Sequence, residues 1–159
     1  MLKSIRDFFD RNIAQDALTA DRHSVELATA ALLVEVVRSD AGISDSEQSA
    51  VMRAVREKFN LSEQEAQAIF NLAEQEVRTA NDYYQFTSLI NRHFDQQHKQ
   101  HIVELMWRVA YADAELGAHE NHVLRRVAEL LHVTHGDYIA AKMRARDDAE
   151  RGNDAAALS

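Results

Sequence analysis

Two short acidic motifs have the residue types and spacing best suited to chemistry. Each motif is an aspartate and a glutamate separated by six residues: Asp40 with Glu47, and Asp113 with Glu120. Carboxylates of this kind, together with backbone carbonyls and water, form oxygen sites that suit Ca²⁺, Mg²⁺ or Mn²⁺. Neither motif has the ligand spacing of an EF-hand. The four carboxylates are therefore candidate ligands of a divalent metal at a site of another kind.

The same residues also have a purely structural interpretation. An aspartate at the end of one helix can accept backbone N–H bonds in a tight turn, and a glutamate in the first turn of the next helix can reach back to the helix cap. Ser44 favours this interpretation in the first motif, whereas Gly117 stands at the matching position in the second. Capping and metal binding both remain open.

Other reactive groups are few or lack a recognisable arrangement. The chain has no cysteine, which excludes disulfides and thiolate sites. His98 with His101, and His119 with His122, are spaced to share a helix face, but they match no histidine metal motif, so we expect solvated polar positions. Because there is also no nucleophile elbow and no glycine-rich phosphate loop, we expect no catalytic residues and no enzyme. A metal-dependent hydrolase built on the four carboxylates is an outside alternative.

Charge and hydropathy restrict the partners and the location of the protein. The 26 acidic residues outnumber the 18 basic ones, giving a net charge of −8, which argues against a nucleic-acid partner. No secretory signal and no stretch of about 20 apolar residues is present, so we expect a cytoplasmic protein with no transmembrane segment. Apolar residues within 2–13 share one helix face, which favours packing onto the domain, with peripheral membrane contact as the alternative.

The composition predicts an all-α fold. Proline is absent and there are only four glycines, the two residue types that most often interrupt helices. Capping-box sequences at Ser44–Glu47 and Ser62–Glu65 mark two helix starts. Apolar spacing predicts a single-domain bundle of seven or eight helices. The predicted helices span 2–11, 22–39, 45–59, 63–79, 82–93, 96–112, 118–131 and 135–149. We expect residues 1–24 to form an amphipathic helix and linker, 25–149 the domain, and 150–159 a frayed tail.

The sequence also contains an internal repeat. Two helices, 25–37 and 102–112, are apolar nearly all round, and each is followed by the same pattern at an offset of about 72 residues. The repeat units are 25–62 and 97–134. We expect a duplicated helix-turn-helix unit with pseudo-twofold symmetry and with the two apolar helices in contact.

Polar and aromatic side chains on the two apolar helices need a place in the core. Trp107 and Tyr111 are four residues apart, a spacing typical of packing within a core. Glu35 and Arg108 occupy aligned positions on the two helices. A buried or half-buried pair between them would be a polar feature of the pseudo-twofold interface.

The repeated turns resemble those of the tellurite-resistance TerB family. The pattern of this family is an apolar run followed by A-x-A-D-G/A-x-I/L, a glutamate and a second amphipathic helix. The segments Val36–Glu47 and Val109–Glu120 are similar to it, and the likeness extends loosely over 25–149. This resemblance implies an all-helical fold with internal pseudo-symmetry, a non-enzymatic role linked to stress, and an acidic metal-binding centre. The residues that carry this implied centre are Asp40, Glu47, Asp113 and Glu120.

We therefore expect a bacterial TerB-like domain that acts by binding a divalent cation and a partner protein. The competing expectation is a protein-interaction module whose acidic turns serve only as caps.

Overall fold

The computed structural model describes residues 17–38, 42–80, 83–112 and 118–158. Seven helices occupy these residues, with no strand among them, so the predicted all-α class is confirmed. The helices are α1 (Ala17–Val37), α2 (Asp45–Phe59), α3 (Glu63–Thr79), α4 (Tyr84–His93), α5 (Gln96–Ala112), α6 (Ala118–Leu130) and α7 (His135–Leu158). The predicted helix at 2–11 lies outside the described residues.

Two helix ends lie five or more residues from their predicted positions. Helix α1 begins at Ala17, five residues before the predicted start at 22. Helix α7 continues to Leu158, nine residues beyond the predicted end at 149. No proline interrupts either segment, and ion pairs along α7 join Arg146 to Glu150 and Arg151 to Asp148 across one helical turn.

The predicted capping boxes define the starts of α2 and α3. The Ser62 Oγ accepts a hydrogen bond from the Glu65 backbone N–H at 3.1 Å, and the Ser62 N–H donates to Glu65 Oε1 at 3.2 Å. The same reciprocal pair joins Ser44 and Glu47 at the start of α2. Each box provides hydrogen-bond acceptors for two backbone N–H groups at the helix start that have no partner within the helix.

Helices α1 and α5 form the centre of the bundle and contact each other, as the repeat predicted. Every residue from Val25 to Val37 is buried, which explains why this segment is apolar on all sides. Helices α2, α3, α4 and α6 surround α1, while α2, α6 and α7 contact α5. Trp107 on α5 is 1% exposed and stacks on Tyr111 at a ring-centroid distance of 5.8 Å, so it is a core residue as expected.

Local geometry recurs at matching positions of the two predicted repeat units. Asn60, after α2, and His132, after α6, both adopt left-handed backbone conformations with φ of 56° and 61°. The next helices both start with a hydroxyl cap, in which Ser62 and Thr134 accept from the backbone N–H three residues later. Helix α2 packs on α5, and α6 packs on α1, a reciprocal exchange. These correspondences favour the internal duplication, which stays a prediction, and they extend the matched segments to the starts of α3 and α7.

Candidate functional site

The glutamate of the first acidic motif is part of a complete helix cap. The Ser44 backbone N–H donates to Glu47 Oε1 at 2.9 Å, and the Glu47 N–H donates to Ser44 Oγ at 3.2 Å. The capping interpretation is therefore confirmed for Glu47. The box uses one of the two carboxylate oxygens, Oε1.

The other three candidate ligands are only partly described. Glu120 lies in the first turn of α6 and is half-buried, the position that Glu47 has in α2. Asp40 and Asp113 lie outside the described residues. Gly42, just after the first aspartate, has φ of +95°, a backbone conformation that glycine adopts without strain where the chain turns from α1 to α2.

The start of α2 and the end of α5, the described helix ends next to the two acidic motifs, lie close together. Lys58, at the end of α2, lies 2.9 Å (Nζ to Nδ1) from His101 near the start of α5. Ala50, in the first half of α2, lines the same cleft as Ala112, the last residue of α5. Helices α2 and α5 are therefore antiparallel, and the start of α2 lies beside the end of α5.

The donor types suit a hard divalent cation, but the described residues alone do not complete a site. Carboxylate oxygens are the ligands that Ca²⁺, Mg²⁺ and Mn²⁺ prefer. No group of three or more His, Asp or Glu side chains suited to a metal occurs among the described residues. A metal here would have to use Asp40 or Asp113 in addition to Glu47 and Glu120.

An ion-pair network between α5 and α7, centred on the buried Glu104, was not predicted from the sequence. Glu104 is 7% exposed, and its Oε1 accepts from Arg144 Nε at 2.6 Å. Its Oε2 lies 3.3 Å from Arg108 Nη2, which also donates to Asp148 Oδ2 at 2.6 Å. The spacing of Glu104 and Arg108, four residues apart on a buried helix, was the available signal. We call these four residues the Glu104 network.

The expected pair between Glu35 and Arg108 is wrong. Arg108 instead binds Glu104 and Asp148, whereas Glu35 lies 4.0 Å from Arg38 Nη2 on its own helix. Glu35 and Arg108 occupy aligned positions in the repeat, but each side chain contacts a nearer residue of opposite charge.

The paired histidines engage separate partners. His98 is exposed and its Nδ1 lies 2.7 Å from Asp95 Oδ1, as a solvated polar residue would. His101 is half-buried beside Lys58, which corrects the expectation of full solvation. Burial, and next the charge of Lys58, lower the pKa of His101. His122 is exposed on α6, and the side chain of His119 lies outside the described residues.

Across the part of the chain that the structure describes, no helix combines the length and apolarity needed to cross a bilayer.

Comparison with known proteins gives one match. Residues 26–143, more than half of the 159-residue chain, match the model of the family described as "Tellurite resistance protein TerB". The matched range agrees closely with the predicted domain at 25–149. No curated protein and no solved structure matches the chain.

Proposed function

Because this chain belongs to the family of tellurite resistance protein TerB, we propose that it is a non-enzymatic domain that acts by binding. Its ligands are a divalent cation at the acidic turns and a partner protein. We place this activity in the bacterial cytoplasm, in the response to stress, in keeping with the family resemblance.

The observation that supports the metal proposal is the proximity of the start of α2 to the end of α5, the helix ends next to the two acidic motifs. Ligands from both motifs can therefore reach one region. Asp40, Glu47, Asp113 and Glu120 are the proposed ligands. Carboxylates gathered in this way repel one another without a cation, and a bound divalent ion would relieve that repulsion.

A second candidate is a protein-interaction module without a metal. It is favoured by the capping box at Ser44 and Glu47, which gives the glutamate a complete structural role. In this case the acidic turns only fix the helix starts, and the partner binds elsewhere on the bundle.

Thermal unfolding in the presence of single metals separates the two candidates. The protein, freed of metals, is melted with Ca²⁺, Mg²⁺, Mn²⁺ or Zn²⁺. A cation bound only by the folded state raises the free energy of unfolding by about 2.7 kcal/mol at a hundredfold excess over Kd. No upward shift of Tm with any of the four cations would refute the metal proposal and leave the interaction module.

Matched variants test which residues are responsible. Asp113→Asn keeps the shape of the side chain but removes its charge, so it should abolish the metal-dependent shift. Glu47→Gln should reduce the shift, whereas Glu65→Gln should leave it intact, because Glu65 has the same capping geometry away from the acidic turns. If both glutamine variants lower Tm by the same amount and neither changes the response to metal, Glu47 is only a cap.

A further inference from the structure

A cleft of about 490 Å³ lies between the end of α1, the start of α4 and the outer face of α6. Six side chains supply its functional groups: Glu35, Arg38, Tyr83, Tyr84, His122 and Arg126. The volume is within the range of pockets that hold small molecules, roughly 300 to 1,000 Å³. None of these residues is a proposed metal ligand, although Arg38 and His122 each lie two positions from one, Asp40 and Glu120 respectively.

Positively charged groups line this cleft although the protein as a whole is acidic. Arg126 has 54% of its side chain exposed and is 3.6 Å from Glu129, one turn along the same helix. An exposed pair of this kind contributes little, so the guanidinium can turn to a ligand at small cost. His122, one turn before Arg126 on α6, is also exposed and lines the cleft.

Arg38 is held at the edge of the cleft by its contacts. Its Nη1 donates to the Val77 carbonyl at 3.5 Å, and its Nη2 lies 4.0 Å from the mostly buried carboxylate of Glu35. Glu35 balances part of this charge, so Arg126 is the principal cation that faces a ligand. Arg38, on α1, supplies a second guanidinium, with 43% of its side chain exposed.

Two tyrosines give the cleft an aromatic side. Tyr83 is partly buried, and burial, followed by the charge of Glu35, raises the pKa of its hydroxyl, which therefore stays a hydrogen-bond donor at neutral pH. Tyr84 is 65% exposed, the largest exposed fraction among the big apolar side chains of the described residues. An exposed aromatic ring beside guanidinium groups offers a stacking surface next to an anion site.

We propose that this cleft binds a small molecule that carries a phosphate group and an aromatic ring. The phosphate lies between Arg126 and Arg38, with His122 and the Tyr83 hydroxyl as further donors. The ring lies against Tyr84. Arginine is suited to this role because its planar guanidinium binds phosphate oxygens through two parallel hydrogen bonds.

The test is an NMR titration of the ¹⁵N-labelled protein with inorganic phosphate and, separately, phenyl phosphate, in buffer freed of metals. Both probes should cause saturable shifts in the amides of residues 122–130 and 83–84. Phenyl phosphate should bind about fivefold more tightly, because only it can stack on Tyr84. Absence of saturable shifts in these amides with both probes would refute the site.

Single variants identify the groups that bind. Arg126→Gln should weaken both probes about tenfold, the effect of losing a charge-assisted hydrogen bond. Arg125→Gln is the matched control, because Arg125 is exposed on the same helix but does not line the cleft. The charge of Arg125 instead offsets part of the rise in the pKa of Tyr138 on α7 that burial causes. Equal weakening by both variants would mean nonspecific charge attraction and overturn the proposal.

Tyr84→Ala tests the aromatic part. It should remove the preference for phenyl phosphate and leave the affinity for inorganic phosphate unchanged. If the preference persists, the ring does not stack on Tyr84 and the assignment of an aromatic ligand is wrong. Because the buffer contains no metal, either result is independent of the acidic turns.

Discussion

The two outer helices that follow the repeated caps, α3 and α7, attach to their central helices in different ways. Helix α3 presents an apolar face, with Ile69 and Val77 each 1% exposed. Helix α7 combines an aromatic contact, Tyr138 against Trp107 at a ring-centroid distance of 5.5 Å, with the Glu104 network. Similar local signals therefore lead to one apolar interface and one that is partly ionic.

A buried glutamate in each interface makes the difference clear. Glu76 on α3 and Glu104 on α5 are both 7% exposed. Glu104 has two arginine partners, whereas the Glu76 Oε2 has no hydrogen-bond partner among the described residues. Burial raises the pKa of Glu76, so its charged form is disfavoured in the folded protein. Removing one partner of a buried ion pair leaves an uncompensated charge, so neutralising Glu104 is expected to cost more than neutralising Glu76.

The largest predicted effect comes from neutralising Glu104, with Glu76 as the comparison. Glu104→Gln leaves Arg108 and Arg144 without their shared anion and should lower the free energy of unfolding by about 2–4 kcal/mol. The loss is smaller than for a fully buried pair because water reaches both arginines. Glu76→Gln should cause no loss, because it removes a charge that burial disfavours. Urea unfolding of both variants measures the contrast. Equal destabilisation would show that the two interfaces do not differ in this way.

A smaller effect is predicted at the two left-handed caps. His132→Gly should stabilise the protein by about 1 kcal/mol, because glycine adopts φ of 61° without the steric cost of a Cβ. Asn60→Gly should give less, since asparagine tolerates this conformation better than histidine. Thermal unfolding of both variants checks the order. A greater gain at Asn60 would show that the backbone strain is larger at Asn60 than at His132.

The smallest predicted effect is a pH dependence from His101, where α5 contacts Lys58 of α2. The pKa of His101 is lowered from 6.5, so the unfolded chain binds this proton more readily than the folded protein. The stability is therefore fully present above pH 6.5 and falls as the pH drops from 6.5 towards the lower folded pKa. The matching residue on α1 is Ala28, which cannot titrate.

His101→Gln should flatten this part of the curve of unfolding free energy against pH. His93→Gln is the control, because His93 is exposed at the end of α4. A curve that His101→Gln leaves unchanged would assign the pH dependence to other groups.

Much of the local structure was predictable because its causes are local. Ser44 and Ser62 begin their helices through hydrogen bonds to residues three positions away, so the sequence contains both partners of each bond. The central helices were recognised because a helix apolar on all sides must be surrounded. The Glu104 network was missed because Arg144 is forty residues from Glu104, and only the packing of α7 on α5 brings them together.

The candidate site shows the same division. The role of Glu47 in a cap follows from a spacing of three residues between Ser44 and Glu47. The proximity of the start of α2 to the end of α5 follows from the antiparallel packing of these helices, which no local pattern encodes. The cleft lined by Arg38, Tyr84 and Arg126 brings together residues that are far apart in the chain.

Sequence patterns predicted the helical class, nearly all helix limits within the domain, the two central helices and the capping boxes. These depend on helix propensity, apolar periodicity and hydrogen bonds between near neighbours. The packing of the helices sets which charges pair, which histidine is half-buried and where concave surfaces form. Those features depend on distances between helices, which are set by side-chain packing across the whole bundle.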